Sequence, residues 1–141
     1  MITEAPNFVF IYGTLKRGFP NHDKPLLGRF YRGTCKSLDA YPLVVANKFF
    51  SPVLIDEKGN GLNVYGELYN VSNEVLDKLD ILEGVGKAWG YYRISIEVKQ
   101  ESESAVTATT YAKSRKDIDT IHSEHLSSYE LDERYVHPSL R

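Results

Sequence analysis

The sequence predicts an α+β fold that is built mostly of strands and carries one well-defined helix. Strand-like runs recur from residue 8 to residue 113, one segment has helical spacing with capping residues at both ends, and ten tyrosines and six phenylalanines suit β-rich structure. At 141 residues the chain can bury one core of its own. We therefore expect a single domain over residues 1–141, in which residues 115–141 form a covering loop or tail.

Seven segments have the apolar or alternating pattern of strands. In chain order they are NFVFIYG, RFYRGTCKSL, YPLVVA, SPVLIDE, NVYGELYNV, YYRISIEVKQ and AVTATTYAK. The loop DEKGNG, with two glycines, predicts that SPVLIDE and NVYGELYNV are antiparallel neighbours. The last two segments are predicted to form a hairpin across ESES.

One helix is predicted after the fifth strand. Ser72 is a good N-cap, and Gly84 is placed to end the helix. Its apolar stripe has helical spacing and consists of Val75, Leu76, Leu79 and Leu82. Glu83 therefore lies at the end of a packed helix, where its side chain can reach a pocket.

Composition excludes several classes of function. The formal net charge is −2 and the basic residues are scattered, which leaves no electrostatic surface for nucleic acid or an anionic membrane. No apolar run approaches the roughly 20 residues that a membrane span needs, and the first residues, MITEAPN, lack the pattern of a signal peptide. With Cys35 as its single cysteine, the chain cannot form an internal disulfide. We expect a cytoplasmic monomer that binds neither nucleic acid nor membrane.

The polar C-terminal segment contains three of the four histidines. His122, His125 and His137 match no metal-binding spacing, so we expect no metal there. Apolar residues at 118, 121 and 126 would permit a short helix, although a covering loop is the preferred interpretation.

Four blocks of the sequence resemble a known family. In order they are YGTLKRGFPNH (Tyr12–His22), YPLVVA (Tyr41–Ala46), VYGELYNV (Val64–Val71) and LDKLDILEG…YYR (Leu76–Arg93). Together they are similar to the γ-glutamylcyclotransferase-like, or AIG2-like, family, and within it to the γ-glutamylamine cyclotransferases. The first block is the most specific, and the loop GVGKAWG is about two residues longer than the family's pattern.

This resemblance implies a fold and an activity. The fold would be a small mixed β-barrel or curved sheet with a few flanking helices. The free α-amine of a γ-glutamyl group would attack its own γ-carbonyl, giving 5-oxoproline and releasing an amine, in this subfamily lysine from γ-glutamyl-ε-lysine. The alternatives are ring closure on other γ-glutamyl amino acids, polyamine adducts or glutathione, and a non-catalytic binding module on the same fold.

The resemblance also implies roles for individual residues. Tyr12, Gly13, Thr14 and Leu15 would bind the γ-glutamyl group, and Glu83 would be the catalytic carboxylate. Tyr91 is expected to form a pocket wall that contacts the substrate. Because the attack is intramolecular, the chemistry needs no protein nucleophile, metal or cofactor. For Glu83 to act as base near neutral pH, a dry setting should raise its pKa, and the neighbours that could provide one are Leu79, Leu82, Trp89 and Tyr91.

Other reactive residues receive structural interpretations. Glu67 is the rival carboxylate, but as a strand residue it is better interpreted as solvated or paired with an arginine. Arg93 is expected to pair with Glu83 or Glu67, and Cys35 to be a small packed residue. Asn21 and His22 are expected to shape the loop after the first strand rather than to take part in proton transfer.

Overall fold

The computed structural model describes residues 6–141, which form seven strands and two α-helices. In chain order these are β1 (Asn7–Ile11), α1 (Lys24–Leu27), β2 (Tyr31–Tyr41), β3 (Leu43–Ala46), β4 (Ser51–Leu54), β5 (Leu62–Val71), α2 (Asn73–Glu83), β6 (Tyr92–Lys99) and β7 (Val106–Ala112). Residues 1–5, which belong to the segment judged to lack a signal-peptide pattern, lie outside the described residues.

Five of these strands close into a barrel in the order β1-β5-β2-β6-β7. Adjacent strands are antiparallel except β1 and β7, which are parallel. The other two strands, β3 and β4, form a separate hairpin. The predicted α+β fold with a small mixed barrel is thus confirmed.

Two apolar clusters lie on opposite faces of the strands β1 and β5. One contains Phe10, Val64 and Leu68 together with residues of β6 and β7. The other packs Val9, Ile11, Tyr69 and Val71 against the helix α2. Because alternate residues of a strand point to opposite faces, both faces of β5 are buried along its second half.

The helix α2 begins and ends at the predicted residues. The Ser72 hydroxyl accepts a hydrogen bond from the N–H of Val75, and Gly84 has the left-handed φ of 68° that ends many helices. The predicted apolar stripe is one residue too long, since Val75, Leu76 and Leu79 are buried but Leu82 is 52% exposed. Its last turn therefore leaves the core and borders solvent.

One of the two pairing predictions is confirmed and the other is wrong. The strands β6 and β7 form the expected hairpin. The strand β4 pairs with β3, not with β5, because the NKFF segment between β3 and β4 is a tight turn in which Asn47 and Phe50 adopt positive φ. The loop from Asp56 to Gly61 instead carries the chain from this hairpin back to the barrel.

The C-terminal segment runs along β3 without forming the short α-helix that its apolar residues would permit. The N–H groups of His122 and Leu126 donate to the carbonyls of Val45 and Leu43, both at 2.8 Å. Further on, the side chain of Tyr129 is completely buried in the apolar cluster that contains Phe10. Neither described helix has the length and apolar character needed to cross a membrane.

The short helix α1 was not predicted. Asp23 caps it, accepting a hydrogen bond from the N–H of Leu26, and Pro25 lies in its first turn. An Asp followed two residues later by Pro is a helix-start signal that the sequence did offer.

Candidate active site

One pocket of about 950 Å³ collects all six residues that the sequence singled out. It lies where β1 and α2 end, beside the hairpin β3–β4 and the C-terminal segment. The predicted catalytic and substrate-binding residues, all on its walls, are Tyr12, Gly13, Thr14, Leu15, Glu83 and Tyr91. Residues 70 positions apart in the chain therefore face one cavity.

The turn after β1 presents a row of backbone donors. It is closed by a hydrogen bond of 3.1 Å from the N–H of Lys16 to the carbonyl of Gly13. Within residues 6–141, the N–H groups of Gly13, Thr14 and Leu15 donate to no protein acceptor. Successive unpaired N–H groups of this kind form a site for a carboxylate or an oxyanion.

Asn21 and His22 hold this turn in shape, as predicted. The side-chain amide of Asn21 donates to the Thr14 hydroxyl at 2.8 Å, and the backbone N–H of Asn21 donates to the Thr14 carbonyl at 2.9 Å. The ring of His22 lies 2.8 Å from the Leu15 carbonyl through Nδ1, and His22 is not part of the pocket wall. Its hydrogen bond is thus a support for the turn.

A steric reason for Gly13 comes from the protein itself. A Cβ at this position would lie 2.8 Å from Cγ of Pro52 in β4, closer than real carbon contacts allow. The family resemblance implied only that Gly13 binds the substrate. The structure adds a close approach between the turn and β4, which on its own requires glycine here.

The two pocket tyrosines are fixed through their hydroxyl groups. The Tyr12 hydroxyl donates to the Tyr111 carbonyl at 2.7 Å and accepts from the N–H of Leu54 at 3.2 Å. The Tyr91 hydroxyl donates to the Pro52 carbonyl at 2.9 Å. Burial raises the pKa of both phenols, so they stay neutral. They line the cavity as neutral side chains.

Glu83 has the electrostatics of a group that can exchange a proton near neutral pH. Burial raises its pKa to about 7, while the charge of Lys113 acts in the opposite direction. No side chain or N–H among residues 6–141 donates a hydrogen bond to its carboxylate. A carboxylate kept without donors in a partly dry pocket is a proton acceptor at neutral pH.

The neighbours expected to surround Glu83 are only partly the right ones. Leu82, Trp89 and Tyr91 do line the pocket with it. Leu79 is fully buried on the core side of α2 and does not line the pocket. Trp89 is 63% exposed, so it shields Glu83 from solvent only in part.

A family model described as gamma-glutamyl cyclotransferase, AIG2-like, matches residues 9–131. The chain belongs to this family. The chain is therefore an enzyme of the γ-glutamyl cyclotransferase type. The matched residues include the donor turn, Glu83 and most of the C-terminal segment.

Similar proteins cover nearly the same length. A gamma-glutamylaminecyclotransferase A of Danio rerio is 33% identical over 126 residues, which are 86% of this chain and 78% of that protein. The gamma-glutamylaminecyclotransferase C of Danio rerio is 33% identical over 135 residues, 91% of this chain and 89% of that protein. The crystal structure of an AIG2-like protein from Mus musculus superposes with a TM-score of 0.72 at 29% identity and covers 88% of both chains.

The pocket of this family member contains residues that the sequence did not reveal. Lys113 follows directly after β7, and Tyr135 and Arg141 come from the C-terminal segment. The only available signal for Tyr135 was its place in a C-terminal segment that was expected to cover the fold. For Lys113 there was none, because its position depends on a pairing with Ile55, which is 58 residues away in the chain.

The loop from Gly84 to Gly90 forms one wall of the pocket. It folds into successive turns, and the N–H of Tyr91 returns to the Glu83 carbonyl at 2.9 Å. Ala88 and Trp89 face the cavity, and the Trp89 carbonyl accepts from the Lys113 ammonium at 3.0 Å. The loop that was expected to be about two residues longer than the family's pattern thus borders the pocket.

The rival carboxylate lies outside the pocket. Glu67 is 8% exposed, and it accepts hydrogen bonds from the N–H of Arg17 and the hydroxyl of Tyr69, both at 2.9 Å. The Arg17 guanidinium also lies 3.9 Å from the Glu67 carboxylate, so the prediction of an arginine partner is right, but that partner is not Arg93. Arg93 pairs with Asp80 instead, which it reaches from β6 across the face of α2.

Of the remaining reactive side chains, His137 lines the pocket, whereas Cys35, His122 and His125 do not. Cys35 is buried, and burial raises its pKa to about 12, consistent with a packed residue. The ring of His122 stacks on Phe50, and the ring of His137 is 2.8 Å from the Ser139 hydroxyl. Across residues 6–141, no three His, Cys, Asp or Glu side chains are grouped to hold a metal ion.

Proposed function

We propose that this family member closes the ring of γ-glutamyl-ε-lysine, releasing 5-oxoproline and lysine. The donor turn would hold the γ-glutamyl group, and Glu83 would move the protons. The names of the two Danio rerio relatives support the γ-glutamylamine class of substrate. The pocket described above supplies the support for the residue roles.

The donor turn suits the charged end of the substrate. The α-carboxylate of a γ-glutamyl group needs hydrogen-bond donors, and Gly13, Thr14 and Leu15 offer three N–H groups that no described residue uses. The same row could stabilise the oxyanion that forms at the γ-carbonyl. The faces of Tyr12 and Tyr91 would pack along the methylene groups.

Glu83 would act as general base and then as general acid. As the α-ammonium becomes the ring nitrogen it loses two protons, and the departing nitrogen gains two as it leaves as an ammonium. A carboxylate with a pKa of about 7 can accept and return protons in turn. The new bond joins the α-nitrogen to the γ-carbon, and the bond from that carbon to the lysine nitrogen breaks.

One observation carries this proposal. The Glu83 carboxyl, which accepts no hydrogen bond from the described residues and has a raised pKa, lines the same cavity as the three unpaired N–H groups of the donor turn. Because nucleophile and electrophile belong to one substrate, holding it folded replaces a protein nucleophile. The proposed substrate therefore suits both the donor turn and the Glu83 carboxyl.

The test is to measure 5-oxoproline by mass spectrometry after incubation with γ-glutamyl-ε-lysine, γ-glutamyl-alanine or glutathione. We expect turnover of the lysine compound, and loss of that turnover in Glu83→Ala. Turnover of only the other two compounds would reject the lysine assignment. Activity that survives Glu83→Ala would reject the role of Glu83, and no turnover at all would favour the binding-module alternative.

The remaining expectations are part of the same proposal. We propose a cytoplasmic monomer that uses no cofactor and binds no nucleic acid. Size-exclusion chromatography with light scattering would detect a dimer. A filter-binding assay with labelled DNA and RNA would detect affinity for nucleic acid.

A further inference from the structure

The pocket contains charged groups of both signs that the proton chemistry does not use. The basic ones are Lys48, Lys113, Lys116 and Arg141, and the acidic ones are Asp117 and Asp119. The ion pairs that the described residues form involve other groups, and none of these six side chains has an opposite charge within 4.0 Å. Charges lining a cavity without partners are available to a ligand that brings the complementary charges.

Lys113 is the most constrained of the cations. Its backbone is fixed on both sides, since its N–H donates to the Leu54 carbonyl and its carbonyl accepts from the N–H of Asp56, both at 3.0 Å. Its ammonium lies 4.8 Å from the centroid of the Tyr91 ring and donates to the Trp89 carbonyl. A lysine ammonium has three donors, so two remain for a ligand in the cavity.

The adjacent 3-10 turn, Arg115–Asp117, holds Lys116 and Asp117 at the edge of the pocket. Arg115 points away and forms a two-pronged ion pair with Glu57, at 2.7 and 2.8 Å. Such a planar pair restricts orientation as well as distance. The turn is thus anchored on one side while its other two charged residues face the cavity.

The other two cations are engaged with aromatic rings. The ammonium of Lys48 lies 5.0 Å, and the guanidinium of Arg141 4.3 Å, from the centroid of the Phe49 ring. The Arg141 guanidinium also donates to the Val136 carbonyl at 3.0 Å. Lys113 and Lys116 are consequently the better candidates for a carboxylate.

From this arrangement we infer that the pocket recognises the leaving amine as an α-amino acid: Lys113 and Lys116 bind its α-carboxylate, and Asp117, with Asp119 nearby, binds its α-ammonium. The inference rests on the proposed function. In γ-glutamyl-ε-lysine both α-groups of the lysine are free and carry opposite charges. A polyamine adduct lacks the carboxylate, and γ-glutamyl-alanine lacks the free ammonium.

Three compounds of equal chain length isolate the two contacts. They are γ-glutamyl-ε-lysine, γ-glutamyl-cadaverine, which lacks only the carboxylate, and the γ-glutamyl amide of 6-aminohexanoate, which lacks only the ammonium. For the wild-type protein we expect kcat/KM for the lysine compound to exceed each analogue by about 10-fold or more, as charged hydrogen bonds give. Equal values for the lysine and cadaverine compounds would overturn the inference.

The variants are judged by ratios, because Lys113 also lowers the pKa of Glu83 and its loss affects every substrate. In Lys113→Gln the preference for lysine over cadaverine should fall about 10-fold, and Lys113→Arg should retain most of it. In Asp117→Asn the preference for lysine over 6-aminohexanoate should fall instead. If Lys113→Gln slows both substrates equally, Lys113 acts through Glu83 or the fold, and the carboxylate contact is refuted.

Controls keep the experiment decisive. Lys99→Gln removes an exposed lysine of β6 that lies outside the pocket, and both ratios should stay at wild-type values. Lys116→Gln, at an exposed position, replaces Lys113→Gln if circular dichroism shows that variant unfolded, and an unchanged ratio would then count against the inference.

A binding measurement separates this inference from the proposed function. Calorimetric titration of Glu83→Gln with the three intact compounds needs no turnover. Tighter binding of the lysine compound, without any 5-oxoproline from the wild-type protein, would reject the function and support the subsite. Turnover by the wild-type protein, with binding that does not distinguish the three compounds, would support the proposed function and reject the lysine subsite.

Discussion

Asn21 and Tyr135 are joined by a hydrogen bond of 2.7 Å, although 114 positions separate them in the chain. The same Asn21 amide donates to the Thr14 hydroxyl, so the C-terminal segment is connected directly to the donor turn. A second connection runs from the Lys16 ammonium to the Tyr129 carbonyl at 2.8 Å. The proposed binding turn is therefore hydrogen-bonded to the C-terminal segment at two places.

The Asn21–Tyr135 hydrogen bond should matter for substrate binding more than for the chemical step. In Tyr135→Phe we expect KM for γ-glutamyl-ε-lysine to rise about 5-fold with little change in kcat, since one such bond contributes roughly 1 kcal/mol. Steady-state kinetics measure both constants. Tyr65→Phe, on an exposed face of β5, is the matched control. A fall in kcat at constant KM would instead place the Tyr135 hydroxyl at the reacting atoms.

Glu83→Gln should abolish most of the activity. Loss of a general acid–base group costs about 10²–10⁴-fold, and the amide is close in shape to the carboxyl it replaces. Because the ionised form is the base, kcat/KM of the wild-type protein should rise with pH and level off above about 7, the pKa of Glu83. His22→Gln is the comparison, and we expect it to cost less than about 10-fold. A larger loss from His22 than from Glu83 would reverse the division of labour proposed here.

The same raised pKa predicts that Glu83 destabilises the fold at high pH. The native state holds the Glu83 proton up to about pH 7, whereas the unfolded chain releases it near pH 4.5. The free energy of unfolding contributed by this group therefore falls as pH rises between these values, by about 3 kcal/mol in total. Glu83→Gln should unfold at higher urea concentration than wild type at pH 8, and at nearly the same concentration at pH 4. A variant equally or less stable at pH 8 would show that the carboxyl is not held in a dry setting.

Asp80 should show the opposite dependence on pH. Although burial alone would raise it, the hydrogen bonds from Arg93 and Tyr111 hold the pKa of Asp80 below its usual value. The stabilisation is thus present above about pH 4 and is lost as pH falls below that. We expect Asp80→Asn to cost about 1–3 kcal/mol at pH 7 and less at pH 3, measured by urea unfolding. Asp77→Asn, on a side chain that is 77% exposed and 3.6 Å from Arg93, should change little.

Local patterns in the sequence were enough to predict the seven strands, the helix α2 and the positions of the donor turn and of Glu83, although not the helix α1. The caps at Ser72 and Gly84 set the length of α2 and therefore the position of Glu83. The apolar run before Gly13 placed the donor turn at the end of β1. These signals are short-range, so one sequence contains them in full.

The features that the sequence did not predict depend on contacts between distant segments of the chain. The pairing of β4 with β3 was hidden because a left-handed Asn47 makes a tight turn that carries no glycine. Lys113 enters the pocket because the end of β7 pairs with Ile55, directly after β4. Arg93 reaches Asp80 only across the face of α2. No periodicity or spacing rule reports which of several charges will meet.

Gly13→Ala should separate two reasons for glycine at the donor turn. The added Cβ would lie 2.8 Å from Cγ of Pro52, so we expect a loss of about 1–3 kcal/mol in stability, as overpacking gives, and a KM raised more than 10-fold. Removing the ring in the double variant Gly13→Ala/Pro52→Ala relieves that clash. We expect it to recover most of both losses, with Pro52→Ala alone completing the cycle. If stability returns while KM stays high, the ligand itself must approach the Gly13 backbone, and the close contact with Pro52 is then the lesser reason for glycine at this position.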